Sequence, residues 1–395
     1  MKKLLLILFV NFTLLFSPAS RPATTDPYGR YVHLNSHMSF FLNSDTYGFI
    51  LTAIDPSQLL TYHHQRQSRP LFILAGTVVG YSVNALTWPV HRQLTSFYRT
   101  FWRGSYPAKQ ILLIGNFYFG YFLINILVLW LSLYLFEKIF NLLLAPGVSP
   151  DYLKYIFMIF IVANPITKVF FWAIHKQMFA FLTPLLCIYI LLHFKQRNLP
   201  VSLLRWGMIF FAAGLLLLVY GNFLMLIPVL LYAFLRDNGW SRLKSQKVLP
   251  VFCLLLICSV PTIAWLGILK LHGMVYFNFE MRYAHELIWI PESLRQSTGI
   301  FFHNLGSFTI EYMKTMLCLV ILLFFSFVIF LAAKVKILFH EQSVRDTAFV
   351  FTCFFLFYWI LQRTTEKHID SNFCLLLERG TRAKNHWLEN HHYFR

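Results

Sequence analysis

Apolar runs of about twenty residues alternate with short polar breaks along most of this chain, and a helix needs roughly that length to cross a bilayer. Pro70–Trp88, Ile111–Phe136, Met178–Phe194, Leu249–Leu271, Thr315–Ala333 and Thr347–Leu361 each predict a membrane helix. Trp206–Leu235 is too long for one ordinary span, and Gly221-Asn222 at its centre signals a turn, so two short helices in a tight hairpin are expected. Leu4–Phe16, behind Lys2 and Lys3, reads as a short first span or as the apolar region of a signal peptide. Pro18-Ala19-Ser20 is a mediocre cleavage site, which favours a retained span.

One stretch resists this pattern. Asn164-Pro165 and Lys168 interrupt the apolar segments Tyr155–Ala163 and Val169–Ile174. Irregular backbone at membrane depth is tolerated only where protein or a water-filled cavity covers it. The segment therefore predicts a partial or interfacial insertion that feeds the span at Met178. The fold class expected is an all-α polytopic membrane protein with about nine transmembrane helices, eight to ten as the bounds. A single transmembrane domain would fill residues 1–361, with outer loops over 17–69, 137–177 and 272–312. Residues 362–395 form a polar, basic tail.

Composition removes the soluble classes. Of 395 residues, 57% are hydrophobic and 13% charged, and Phe alone occurs 43 times. A water-soluble protein carries about twice that share of charge. The net charge is +18, from 34 Lys and Arg against 16 Asp and Glu. It lies in short loops between apolar runs rather than on a soluble face, so nucleic acid is excluded as a partner and membrane lipid implied. Pro89–Gln110 carries Arg92, Arg99, Arg103 and Lys109 without an acid, and 195–205 and 236–247 are similarly basic. The positive-inside rule puts these three loops in the cytoplasm and the amino terminus with them. The expected location is a bacterial plasma membrane. None of the six cysteines forms a CxxC pair, and all but Cys374 lie in apolar runs, which reads as small core residues.

Chemistry concentrates in the first outer loop. Ser44-Asp45 opens a segment in which Phe49, Ile50, Leu51 and Ala53 give one apolar side, so an amphipathic helix along the membrane surface is expected, with Asp45 near its first turn. His63, His64, Arg66 and Arg69 follow, just before the second span. A carboxylate can serve as general base for an acceptor hydroxyl, and arginine forks suit a phosphate or diphosphate. Equally, Asp45 can cap a helix and Arg66 and Arg69 can snorkel to headgroups. Adjacent histidines face different ways on a helix, so His63-His64 is no metal pair and no metal or other cofactor is expected. Lys168, His175, Lys176 and Gln177 form a second polar cluster, as phosphate ligands or as helix-end anchors. The third outer loop interleaves Glu280, Arg282, Glu286 and Arg295 with Tyr276, Phe277, Tyr283 and Trp289, an acceptor lid or an aromatic belt.

Ser44-Asp45-Thr46-Tyr47-Gly48 followed by Arg69-Pro70-Leu71 at the second span, with the basic inner loops and the broken segment, resembles the polyprenyl-phosphate-dependent GT-C glycosyltransferases. The resemblance covers roughly residues 26–194. It implies a polyprenyl-phosphate-linked sugar as donor substrate, an acceptor glycosylated on the outer face, and Asp45 as catalytic base. Arg66, Arg69, His63, His64, Lys168 and His175 are the candidate substrate ligands. A transporter or flippase would need charged residues inside spans, and Lys168, Lys270 and Lys314 sit near span ends. A non-catalytic scaffold would be indifferent to Asp45.

Overall fold

The structure, a computed structural model, describes residues 2–13, 29–33, 39–62, 64–101, 107–143, 151–163, 165–196, 202–237, 248–278 and 289–315. It is helical apart from one antiparallel hairpin, β1 (Gly29–His33) with β2 (Ser39–Asn43), in register Gly29↔Asn43 to His33↔Ser39. β2 runs straight into α2 (Ser44–Ile54). Contacts divide the chain into two units, Met1–Phe277 with Lys334–Cys353, and Asn278–Ala333 with Phe354–Arg395.

The first unit is built on α3 (Pro70–Leu86) and the 36-residue α5 (Ala108–Leu143). Gly76 and Gly80, four apart, give α3 a bare stripe into which α5 presses. The Tyr121 ring occupies the space a Cβ on Gly76 would need, Phe117 does so at Gly80, and Gly120 approaches the Gly80 backbone. This is close packing through small residues, as the spacing predicts. α4 (His91–Phe101) turns off the end of α3. α6 (Asp151–Ala163), α7 (Pro165–Trp172) and a one-turn helix at Lys176–Met178 lead into α8 (Phe179–Gln196). The break falls where Asn164-Pro165 stands, because proline cannot donate to the helix ladder. The end of α7 is satisfied by α5: Asn125 Nδ2 donates to the carbonyls of Phe170, Phe171 and Ala173 at 3.1–3.3 Å, and the Tyr118 hydroxyl donates to the Trp172 carbonyl at 2.5 Å. That is how an irregular backbone survives inside a helix bundle.

Trp206–Leu235 is split as expected, into α9 (Leu203–Leu217) and α10 (Leu226–Asp237) around a turn of helix at Gly221–Met225. α11 (Val248–Leu271) packs on α9, the Cys258 carbonyl and Pro261 lying against Gly214. The basic ends gather together: Phe194 stacks on Trp206 at 4.7 Å and Arg236 donates to the Leu191 carbonyl at 3.1 Å. The opposite ends gather too. Leu71 N–H donates to Leu218 O at 3.2 Å, the Tyr220 hydroxyl to Gln177 Oε1 at 3.1 Å, and Trp265 Nε1 to Gln67 O at 2.8 Å.

Three expectations change. Among the described residues three helices are long and apolar enough to cross a membrane, Ala108–Leu142, Lys176–Phe194 and Val248–Leu271, and a fourth if Pro70–Leu86 and Trp88–Arg99, bent by 61°, count as one. Nine spans are not shown among the described residues. α9 and α10 rise only about 18–22 Å, short of a hydrocarbon core of about 30 Å. The runs expected at 315–333 and 347–361, except Thr315, and the tail 362–395 lie outside the described residues. Second, Lys3 at the start of α1 (Lys2–Thr13) pairs with Glu137 near the far end of α5, and the rest of the first apolar run, 14–16, lies outside the described residues. Charge patterning had put those two residues on opposite faces, so α1 and α5 do not both cross as expected. Third, α2 does not lie freely on the membrane surface. Phe49, Ile50 and Ala53 are fully buried against Phe72, Ile73, Phe117 and Tyr121, and the α3 side chains Thr77 and Tyr81 donate to the carbonyls of Ala53 and Ile54 at 2.8 Å. Its apolar stripe found protein rather than lipid.

In the second unit α12 (Trp289–Gln296) and α13 (Thr298–Thr315) pair through Trp289 stacked on Phe301 and an Asn304–Ser293 hydrogen bond of 2.9 Å. Ser297 Oγ accepts the Ile300 N–H and starts α13. Much of the suggested acceptor lid, 279–288, lies outside the described residues.

Candidate functional site

α2 begins at Ser44, so Asp45 falls in its first turn, where the free N–H groups and the helix dipole favour a carboxylate. The chain leaves α2 through a short helix at Pro56–Leu60 that Asp55 caps. Residues 64–69, just ahead of α3, then bring Arg66 over the first turn of α2. Gly48 permits this approach, because a Cβ there would come within 2.9 Å of Arg66 Nη2. The guanidinium lies 4.2 Å above the centre of the Phe49 ring and donates to Asp45 Oδ1 at 2.6 Å.

The second ligand comes from the broken segment. His175 has an extended backbone between α7 and the turn at 176–178, and its Nδ1 accepts the Gln177 N–H at 3.2 Å. That bond assigns the imidazole proton to Nε2, which faces Asp45 Oδ2 at 3.3 Å. The Phe170 and Phe49 rings flank the imidazole at 5.6 and 6.3 Å between centroids. One carboxylate is thus gripped at both oxygens by side chains 21 and 130 positions away in sequence. The grip is asymmetric in exposure: Arg66 and His175 are 12% and 13% exposed, Asp45 43%. The basic groups stand behind, and the carboxylate stands at the opening.

Electrostatics follow from that. Burial alone would push the Asp45 carboxyl up, but the His175 hydrogen bond and the Arg66 guanidinium outweigh it and hold the group well below the usual carboxylate range. Its stabilising contribution is therefore present above the ordinary carboxylate pKa and is lost only in strong acid. His64 lies beneath the loop, its Nδ1 accepting Arg66 N–H at 3.2 Å and its Nε2 3.4 Å from Thr52 Oγ1. Burial, reinforced by the Arg66 charge, lowers it to about 4, so it is a neutral prop rather than a second cation.

The candidate ligands therefore sort themselves. Asp45, Arg66 and His175 are brought together, with His64 as support. Arg69 stands at the N-cap position of α3 without a side-chain cap bond, and Lys176 is buried at the start of the turn after His175. Lys168 lies on α7 with its side chain outside the described residues, as is all of His63. Among the described residues no three of His, Cys, Asp and Glu gather as metal ligands would.

Sequence reasoning passed over Gln67. It is fully buried, its amide donates to the carbonyls of Leu59 and Thr61 at 3.0 and 2.8 Å, and its Oε1 accepts Phe277 N–H at 3.0 Å. It locks the loop that carries Arg66. Asn125 and Tyr118, which hold the backbone beside His175, were also missed. Asn125, one of two asparagines with Asn116 inside the apolar run Ile111–Phe136, was the available signal, since such a group must find partners. Compared with protein-family models, with curated proteins and with solved structures, the chain has no match.

Proposed function

We propose that the protein transfers a sugar from a polyprenyl-phosphate carrier to an acceptor on the outer face of a bacterial plasma membrane. The observation that carries this reading is the Asp45 carboxylate, held ionised by two half-buried basic side chains and open on its remaining side, beside converging helix ends. A carboxylate tied to arginine is a weak base, so the site needs a way to release it. The donor's phosphate supplies one. It competes for the Arg66 guanidinium, a fork shaped for phosphate. Asp45 then keeps the His175 hydrogen bond, which orients it, and its basicity rises toward the ordinary range. The acceptor hydroxyl gives its proton to Asp45 as its oxygen bonds to the anomeric carbon. The bond from that carbon to the phosphate oxygen breaks, and polyprenyl phosphate leaves with the electron pair.

The test is reconstitution of the full chain in proteoliposomes with the total polyprenyl-phosphate glycolipid of a producing cell, radiolabelled in its sugar. The expected result is label in a new acceptor and one polyprenyl phosphate freed per sugar moved. Intact labelled donor crossing the bilayer without loss of sugar would replace this reading with a flippase.

A further inference from the structure

At the end of the first unit away from Asp45, α4 has three distinct sides. One is fastened to the bundle. The Tyr98 ring covers Gly115 and its hydroxyl donates to Asn116 Oδ1 at 3.3 Å, while His91 Nε2 meets the Asn84 carbonyl at 3.0 Å. Asn116 in turn donates to Asn84 Oδ1 at 2.9 Å and Thr87 Oγ1 at 3.2 Å, which fixes the 61° bend between α3 and α4. A second side is apolar and exposed: Phe97 is 53% exposed, and Trp88, just before α4, 73%. On the third side Arg92 and Arg99 are exposed and seven residues apart. Seven residues are two turns, so both lie on one face about 10.5 Å apart along the axis. At about 100° per residue that face is opposite Phe97 and Leu94. No acid occurs between Trp88 and Phe136.

A helix clamped on one side, apolar on a second and cationic opposite the second has the form of an interfacial helix, its apolar face in acyl chains and its charges at headgroups. We infer that α4 is a binding surface for anionic phospholipid headgroups, with Arg92 and Arg99 as the phosphate ligands. The charge complementarity selects the lipid class, and the exposed Phe97 selects a bilayer over a soluble polyanion. A soluble acidic partner would leave that ring in water. The cytoplasmic leaflet, where the basic loops belong, is the anionic one.

The test places p-benzoylphenylalanine at position 97 of the full chain in nanodiscs containing 30% phosphatidylglycerol in phosphatidylcholine. Mass spectrometry reads the lipid cross-linked on illumination. The expected result is phosphatidylglycerol enriched over its share of the bilayer, with the enrichment falling about fivefold for each of Arg92→Gln and Arg99→Gln, and falling with added salt. Thermal unfolding of both variants should match the parent, since these side chains are exposed. Cross-links in proportion to bilayer composition, enrichment untouched by the arginine changes, or a photoprobe that captures protein or nothing instead of lipid would each overturn the inference.

Discussion

Replacing Asp45 by Asn is expected to leave the protein inserted and at normal abundance while sugar transfer drops about 10²–10⁴-fold, the range a general base supplies. Asn caps a helix start as well as Asp does, so the first turn of α2 survives. Its amide still meets Arg66 through oxygen, but it cannot take a proton from a hydroxyl. Asp55→Asn is the matched control. Asp55 serves the short helix after α2 by accepting Ser57 N–H at 3.3 Å, a role Asn fills, and activity should stay within about twofold of the parent. The assay is labelled glycolipid or polysaccharide at equal expression. Full activity in Asp45→Asn would remove the residue from the chemistry and favour a helix-cap role.

The largest effect on folding is expected at Gly76. A methyl group there collides with the Tyr121 ring, and that ring is fixed by Phe49 and Phe72, with centroids 6.5 and 5.1 Å away. α3 and α5 must then separate, and the Asp45 cluster, which rests on the same core, goes with them. Gly76→Val should cost about 3 kcal/mol or more, the upper end for overpacking, and be seen as a sharp loss of thermal stability in detergent. Gly76→Ala combined with Tyr121→Leu should recover much of it. In α11, Gly267 has open space beside it, so Gly267→Ala should be neutral or stabilising, because alanine is the better helix former. Equal damage at both glycines would mean that the α3–α5 contact is not what holds this unit.

Local signals in the chain were read correctly and distant pairings were not, for physical reasons. Gly221-Asn222 and Asn164-Pro165 break helices by their own backbone preferences, which act over a few residues. Asp45 in a first turn is equally local. The partnership of Asp45 with His175 depends on how α7 ends against α5, and no periodicity carries it. The stripe Phe49–Ile50–Ala53 was visible, but a stripe states only that something apolar covers it; the cover, Phe72 and Ile73 of α3 with Phe117 and Tyr121 of α5, stands well away in the chain. α4 was hidden for another reason. A window twenty residues long averages its arginines with its aromatics and returns a polar loop, whereas the 3.6-residue period separates them onto opposite faces. The Lys3–Glu137 pair shows the same limit, since a charge rule for loops cannot say which ends of two helices lie together.

The proposed function turns on an exchange in which the donor's phosphate would take Arg66 and so free Asp45. Isotope-edited infrared spectroscopy reads it directly, as the carboxyl band present in the parent and missing in Asp45→Asn, titrated with and without polyprenyl phosphate. Alone, Asp45 should stay ionised through the ordinary carboxylate range, because Arg66 and His175 hold it low. With polyprenyl phosphate bound, one cation is withdrawn and an anion is added, so the midpoint should move up by about one pH unit or more. A midpoint that stays low with polyprenyl phosphate at saturation would contradict the exchange and, with it, the assignment of this cluster as the donor site.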